Sequence, residues 1–189
     1  MKNTIVYLIG YGGTGKYTIA REIAALTGAV IVDNHLINNP VFSVVGADGK
    51  KLLPVEIWQK IEGIRRIVLD TIAEMAQPEA SFLFTNELYE GKPMDRRWYE
   101  DIAILAAKRK ALLVPAILRC EPEELYRRVT SPERAIRFKL RNADRTRENI
   151  RTYSILHVDD PNCLELDVTH LSPIQAAQAI IAHVEKRAQ

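Results

Sequence analysis

GYGGTGKYT, residues 10–18, follows directly on the apolar, β-branched run TIVYLI, Thr4–Ile9. Such a run is typical of a strand that is buried on both faces of a sheet. After residue 15 the apolar residues recur at helical spacing, and Gly28 stands where the helix should end. The quoted stretch is therefore predicted to be a glycine-rich turn between a buried strand and a helix N-terminus.

The residue types in this turn are those of a phosphate-binding loop. Glycines let the backbone point successive N–H groups at an anion, and no Cβ blocks the close approach. Lys16 adds a positive charge for the β- and γ-phosphates, and the helix dipole adds to it. A merely flexible turn would not explain the lysine. The predicted nucleotide-binding residues are Gly10, Gly12, Gly13, Thr14, Gly15, Lys16, Tyr17 and Thr18.

Tyr17 stands where such a loop normally has a Ser or Thr whose hydroxyl binds Mg²⁺. A phenolic oxygen lies several ångströms further from its backbone, so it cannot occupy the same place. Two interpretations stay open: phosphates, water and carboxylates hold the ion, as they commonly do, or the site binds nucleotide with little turnover. Tyr17 could also pack beneath the loop with no metal role. The sequence assigns no metal ligands.

Four more strands and several helices are predicted further along the chain. Apolar runs predict strands at 29–32, 81–85, 111–119 and 163–168. Helical patterns cover 55–77, 95–110, 122–129 and 173–187, and Ser172 is the predicted N-cap of the last. Residues 34–54 are predicted to form loops and short helical turns. This alternation predicts an α/β three-layer sandwich with a five-stranded parallel sheet.

Composition and charge restrict the class of protein. The chain has 189 residues, 47% of them hydrophobic and 26% charged, which predicts one globular domain over 1–189. A formal net charge of +2 favours neither nucleic acid nor a membrane as a partner. We expect the protein to be cytoplasmic, because no apolar run is long enough to span a bilayer. A monomer or homodimer is expected, although the sequence does not specify the oligomeric state. Cys120 and Cys163 lack metal-site spacing and are expected to be buried, reduced thiols.

The overall pattern resembles the shikimate kinase, gluconate kinase and adenylate kinase group of small P-loop kinases, over nearly the whole chain. The resemblance is carried by G-x-x-G-x-G-K at 10–16, Asp33 after the second strand, a basic segment before the last strand, and a closing Ser-Pro helix. It implies transfer of the ATP γ-phosphate to a hydroxyl or phosphate of a small molecule, with Mg²⁺ as cofactor. It also implies an acceptor-binding insert at about 34–62 and a helical lid at about 131–151.

Asp33 is similar to the acidic residue that faces the acceptor hydroxyl in shikimate kinases. A carboxylate near the γ-phosphate can orient an alcohol or accept its proton, so Asp33 and Lys16 are predicted to be catalytic. Asp33 could instead cap the following turn. His35 and Asn86 are further candidates for acceptor binding, although a lone histidine often only satisfies local hydrogen bonds.

The segment SPERAIRFKLRNADRTR, residues 131–147, is rich in arginine and resembles the lid. Lid arginines contact the transferring phosphate because a guanidinium donates two parallel hydrogen bonds to phosphate oxygens. Arg134 and Arg137 are therefore predicted to be catalytic. An RNA-binding arm is the alternative, but it would need interleaved aromatic residues, and Phe138 stands alone in the segment.

Basic residues also follow Trp58 at helical spacing, namely Arg65 and Arg66. They could hold a carboxylate or phosphate of the acceptor, although a solvated helix face is the simpler expectation. The leading functional hypothesis is a small-molecule kinase. The alternative is a nucleotide-binding regulator or degenerate kinase, because Tyr17 replaces the metal-binding hydroxyl and the third strand lacks the usual acidic residue at its end.

Overall fold

The computed structural model of the protein describes residues 1–47, 53–130 and 143–188. The strands are β1 Thr4–Ile9, β2 Val30–Asp33, β3 Phe82–Asn86, β4 Leu112–Arg119 and β5 Leu164–Asp167. The helices are α1 Lys16–Thr27, α2 Asn34–Val44, α3 Val55–Met75, α4 Pro93–Arg109, α5 Pro122–Val129, α6 Ala143–Thr152 and α7 Pro173–Arg187. Strands and helices alternate for most of the chain, as the apolar patterns predicted.

The five strands form one parallel sheet in the order β2-β3-β1-β4-β5. The glycine-rich turn therefore leaves the central strand, and β1 is completely buried. Ile5, Tyr7 and Ile9 face the core that α2, α3 and α4 cover. Val6 and Leu8 face the opposite core, which α1 and α7 cover. The predicted three-layer α/β sandwich is confirmed.

Local signals at two helix ends are confirmed. Gly28 ends α1 in the left-handed conformation, with φ 73°, and its N–H donates to the Ala24 carbonyl. This conformation costs glycine little because it has no Cβ. Ser172 caps α7 in a reciprocal arrangement, because its side chain accepts from the Gln175 N–H and the Gln175 side chain accepts from the Ser172 N–H.

Helix α2 is the main departure from the expected elements, because 34–54 was expected to lack a regular helix. Asn34–Val44 forms three turns that include Pro40, which cannot donate a helical hydrogen bond. The carbonyl that loses this partner belongs to Leu36, a residue that is 62% exposed. Burial of Ile37 and Phe42 in the core shared with α3 stabilises the helix against its poor intrinsic propensity.

Two sequence expectations concern membrane spans and thiols. None of the helices within the described ranges is long and apolar enough to cross a membrane.

Cys120 and Cys163 are not joined to each other, and both are half-buried, where full burial was expected. Burial raises the pKa of both thiols, that of Cys163 to about 11, so both stay protonated at neutral pH.

Candidate functional site

The turn at 10–15 joins the end of β1 to the first residue of α1. Gly13 and Gly15 lie in the left-handed region, with φ 98° and 86°. Gly15 is also the N-cap of α1, so the first N–H groups of that helix open onto the turn. A backbone bent in this way and ending at a helix N-terminus is the arrangement that binds phosphate.

Two of the glycines are required by packing as well as by any ligand. A Cβ on Gly10 would lie 2.7 Å from the Leu118 carbonyl oxygen of β4. A Cβ on Gly13 would lie 3.0 Å from Val129 and 3.2 Å from the Leu125 carbonyl oxygen, both in α5. The turn is thus fixed against β4 and α5, a role that the sequence did not reveal.

Lys16 folds back over the turn. Its Nζ donates to the carbonyl oxygens of Gly10, at 2.6 Å, and of Tyr11, at 2.8 Å. Thr14 is fully buried, and its hydroxyl donates to the Tyr11 carbonyl at 3.0 Å. The Thr14 side chain therefore stabilises the turn. The Lys16 ammonium group lies over the main chain that would surround a phosphate.

Asp33 and Thr85 meet where β2 and β3 end. They are register partners in the sheet, and the Thr85 hydroxyl donates a hydrogen bond to Oδ1 of Asp33. Asp33 stands at the N-cap of α2, yet its side chain makes no capping bond. The alternative in which Asp33 merely caps the following turn is therefore wrong. Thr85 holds the carboxylate in place, and the Asp33 residue is 4% exposed.

A groove of about 450 Å³ lies beside this carboxylate. It is lined by Tyr17 from the second position of α1, by Asp33, and by the outer side of α2. His35 and Asn39 also line it, and the His35 Nδ1 lies 3.2 Å from the Asn39 Oδ1. The structure therefore brings Tyr17, Asp33 and His35 together, and Tyr17 lines this groove where packing beneath the loop had been considered.

Several solved structures share this architecture. No family model matches the sequence, and no curated protein matches it either. The structure is similar to a sugar kinase from Janibacter, with a TM-score of 0.65, 18% identity, and coverage of 97% of this chain and 95% of the other. It is similar to a gluconokinase from Sinorhizobium meliloti, with a TM-score of 0.64, 14% identity, and coverage of 98% and 95%. It is also similar to a shikimate kinase from Acinetobacter baumannii in complex with shikimate, with a TM-score of 0.55, 18% identity, and coverage of 97% and 94%.

The chain has the P-loop kinase fold. TM-scores of 0.55 to 0.65 over nearly the whole length of each chain show a shared fold, and identities of 14–18% limit the conclusion to the fold. The resemblance drawn from the sequence motifs is confirmed at the level of the fold.

Asn86, at the end of β3, forms hydrogen bonds with Tyr7 and Gly10. The buried Tyr7 hydroxyl donates to the Asn86 Oδ1 at 3.0 Å, and the Asn86 carbonyl accepts from the Gly10 N–H at 3.3 Å. Burial raises the pKa of Tyr7, so the hydroxyl remains a donor at neutral pH. Asn86 therefore supports the start of the phosphate loop, and any contact with an acceptor would be additional to this role.

The expectation that Arg65 and Arg66 lie on a solvated face of α3 is wrong for Arg65. It is 3% exposed, its Nη2 donates to the Trp98 carbonyl at 2.8 Å, and its Nε lies 4.0 Å from Asp101. Its guanidinium also lies over the Trp98 ring, 5.3 Å from the centroid. Arg66 is exposed and pairs with Glu62, as a solvated residue would. Arg65 thus joins α3 to α4 and belongs to the core.

The predicted lid is described in part. Arg134 and Arg137 lie outside the described residues. Helix α6, the C-terminal part of the lid segment, packs on α5, and the Arg147 guanidinium lies 4.5 Å from the Tyr126 ring centroid. Just after α6, Tyr153 accepts a hydrogen bond from the phosphate loop at its main-chain carbonyl, an attachment that the sequence pattern did not indicate.

Proposed function

We propose that the protein is an ATP-dependent phosphotransferase that moves the γ-phosphate to a hydroxyl or phosphate group of a small molecule. One observation carries this proposal: the glycine turn with Lys16 opens at the same edge of the sheet as the Asp33 carboxylate, which Thr85 holds in place. An anion cradle and an oriented carboxylate are the two parts that phosphoryl transfer to an alcohol needs.

The proposed chemistry is a direct transfer. The main-chain amides of the turn and the Lys16 ammonium bind the β- and γ-phosphates and stabilise the charge that shifts between them. Asp33 orients the acceptor hydroxyl and takes its proton as the new oxygen–phosphorus bond forms. The bond between the γ-phosphorus and the bridging oxygen breaks, and ADP leaves. Arg134 and Arg137 are proposed to contact the transferring phosphate.

Mg²⁺ enters this proposal as part of the substrate MgATP. The glycine turn fits a polyphosphate, because Gly15 presents the N-terminus of α1 without a side chain. Tyr17 does not supply the short hydroxyl that usually reaches the ion. Phosphate oxygens and water would then make up most of the coordination, with Asp33 as the nearby carboxylate. The ion would neutralise charge on the β- and γ-phosphates.

A second candidate function is a nucleotide-binding regulator with little turnover, and Tyr17 is the observation that favours it. The two candidates separate in an assay of acceptor-dependent ADP release with ATP, Mg²⁺ and a panel of sugars, sugar acids, nucleosides and amino-alcohols. A kinase releases ADP with at least one acceptor, and Asp33→Asn slows that release by about 100-fold or more while retaining ATP binding. Tight ATP binding with no acceptor-dependent release across the panel would favour the regulator.

The Tyr17→Ser variant adds a direct test of the metal argument. Serine restores the short hydroxyl that normally binds Mg²⁺. A large gain in kcat would show that the parent site is impaired, which supports the regulator. An unchanged or lower kcat would show that the parent arrangement already works.

A further inference from the structure

A chain of hydrogen bonds runs from a buried tyrosine of β1 to the lysine of the glycine turn. The Tyr7 hydroxyl donates to the Asn86 Oδ1 at 3.0 Å, and the Asn86 carbonyl accepts from the Gly10 N–H at 3.3 Å. The Gly10 carbonyl in turn accepts from the Lys16 Nζ at 2.6 Å. The side chain of Tyr7 is therefore connected, through one residue of β3, to both ends of the turn.

The Tyr7 ring is held rigidly in the core between the sheet and α4. It is stacked on the Tyr99 ring, with centroids 6.1 Å apart and 4° between the planes. It also meets the Phe84 ring edge-on, at 6.1 Å and 70°. These contacts fix the place of the Tyr7 hydroxyl, so Asn86 is the partner that must adjust to it.

The hydrogen bond between Tyr7 and Asn86 is shielded from water. Tyr7 is completely buried, and Asn86 is 3% exposed. A buried polar group that loses its partner stays unsatisfied unless the surrounding chain moves. Removal of the Tyr7 hydroxyl would leave the Asn86 Oδ1 without this donor, and Asn86 is the last residue of β3, where the strand is least constrained. We therefore expect the end of β3 to move.

The direction of the hydrogen bond from Tyr7 is set by Arg65. Burial raises the pKa of Tyr7, and the positive charge of Arg65 opposes this only in part, so the hydroxyl keeps its proton at neutral pH. Arg65 is itself 3% exposed and is held by the Trp98 carbonyl. A positive charge attracts the phenol oxygen and turns the O–H dipole away from it. The proton therefore points to Asn86, which presents its Oδ1.

The contact between Asn86 and Gly10 is the weak link of this chain. At 3.3 Å it is longer than the usual range of roughly 2.7–3.2 Å, so a small displacement of the end of β3 would break it. We infer that Tyr7 is a positioning residue for nucleotide binding: acting through Asn86, it holds Gly10, and with Gly10 the Lys16 ammonium group, in place for the phosphates. This inference rests on the proposed function.

The first test is Tyr7→Phe, which removes the hydroxyl and keeps the ring packing. We expect the Kd of ATP with Mg²⁺, measured by calorimetry on the full chain, to rise about fivefold or more, an amount equivalent to one hydrogen bond. In the protein without nucleotide, the Gly10 amide signal in a ¹H–¹⁵N NMR spectrum should shift, and its hydrogen exchange should accelerate. A Kd within about twofold of the parent value, or an unchanged Gly10 signal, overturns the inference.

Two controls separate positioning from a general loss of stability. Tyr99→Phe removes the same atom from the ring stacked on Tyr7 and leaves the bond between Tyr7 and Asn86 in place. Ile102→Val removes a methylene from a fully buried residue of the same core and should lower the urea midpoint. Both variants should keep the Kd and the Gly10 signal of the parent. A rise in Kd in either control equal to that in Tyr7→Phe overturns the inference.

A further variant keeps the test independent of the folding of Tyr7→Phe. Asn86→Ala removes the acceptor of the Tyr7 hydrogen bond and keeps the main-chain carbonyl that Gly10 contacts. It should raise the Kd of ATP and shift the Gly10 signal as Tyr7→Phe does. The double variant should bind ATP within about twofold of either single variant, because both changes break the same bond. A parental Kd in Asn86→Ala, or losses that multiply in the double variant, overturns the inference.

Failure of the proposed function gives a different result. A protein that binds ATP in a Tyr7-dependent manner, yet releases no ADP with any acceptor, supports the positioning role and refutes the kinase. Absence of ATP binding by the parent protein overturns both.

Discussion

The Tyr11 hydroxyl donates to the main-chain carbonyl of Tyr153 at 2.6 Å, so the phosphate loop is bonded to the residue that follows α6. The Tyr89 ring is near both of these residues, with its centroid 6.1 Å from that of the Tyr11 ring and 5.1 Å from that of the Tyr153 ring. Lys92 Nζ lies 3.8 Å from the Tyr153 ring centroid. One hydrogen bond and these ring contacts therefore attach the phosphate loop to the segment that follows α6.

Tyr11→Phe should destabilise the protein by about 0.5–1.5 kcal/mol, because it removes one hydrogen bond and preserves the ring packing. Urea unfolding measures this as a lower midpoint with an unchanged slope. An unchanged midpoint would mean that the bond does not hold the loop to the end of α6.

Gly10→Ala should destabilise the protein by about 1–3 kcal/mol and weaken nucleotide binding. The added Cβ would lie 2.7 Å from the Leu118 carbonyl oxygen, which belongs to a buried strand and cannot move cheaply. Gly63→Ala is the matched control, because no atom outside its own helix lies within 4 Å of the added Cβ. It should stabilise the protein by about 0.5–1 kcal/mol. Similar unfolding midpoints for the two variants would contradict the packing argument.

Thr85→Val should lower kcat and cost about 1–3 kcal/mol of stability. Valine keeps the shape of threonine but removes the donor to the Asp33 carboxylate, which is buried. Thr71→Val is the control, because Thr71 is exposed and its hydroxyl bonds only to the Ile67 carbonyl of its own helix among the contacts described. Equal losses in both variants would show that Thr85 does not orient Asp33.

Glu124 should make stability depend on pH in acid. Hydrogen bonds from Arg127, and next from Arg128, lower the pKa of Glu124 from its ordinary 4.5 to about 2. The unfolded chain therefore takes up this proton first, so the stabilisation is complete above pH 4.5 and is lost as pH falls toward 2.

Glu124→Gln should then show a smaller fall in the free energy of unfolding across that interval, measured by urea titration at several pH values. Glu123→Gln, at the exposed neighbouring carboxylate, is the control. A fall equal to that of the parent in Glu124→Gln would refute the ion-pair explanation.

Local sequence patterns predicted most of the fold, because strand burial, glycine conformation and helix capping depend mainly on neighbouring residues. A β-branched run such as Thr4–Ile9 is buried on both faces wherever it lies in a parallel sheet, and Gly28 and Ser172 have backbone or capping preferences of their own. Helix α2 was missed because Asn38, Asn39 and Pro40 disfavour a helix locally. Its formation depends on distant partners in α3.

Long-range contacts also explain what was missed in the candidate site. The Thr85 and Asp33 pair follows from the position of β2 next to β3, which no spacing in the sequence specifies. Arg65 was assigned to a solvated face because charged helix residues usually face water, yet it bonds to Trp98, 33 positions away. Tyr17 lines a groove only because α2 packs beside it, and the sequence pattern does not predict that position of α2.

The central claim is that the main-chain amides at 10–16 and the Lys16 ammonium group bind a nucleotide polyphosphate. Calorimetric titration of the full chain with ATP and Mg²⁺ tests it most directly, with Lys16→Met as the variant. We predict a Kd between about 1 μM and 1 mM for the parent, and at least tenfold weaker binding for Lys16→Met, a loss of about 1.4 kcal/mol or more. No heat with the parent protein, or the same Kd for both proteins, would contradict the account.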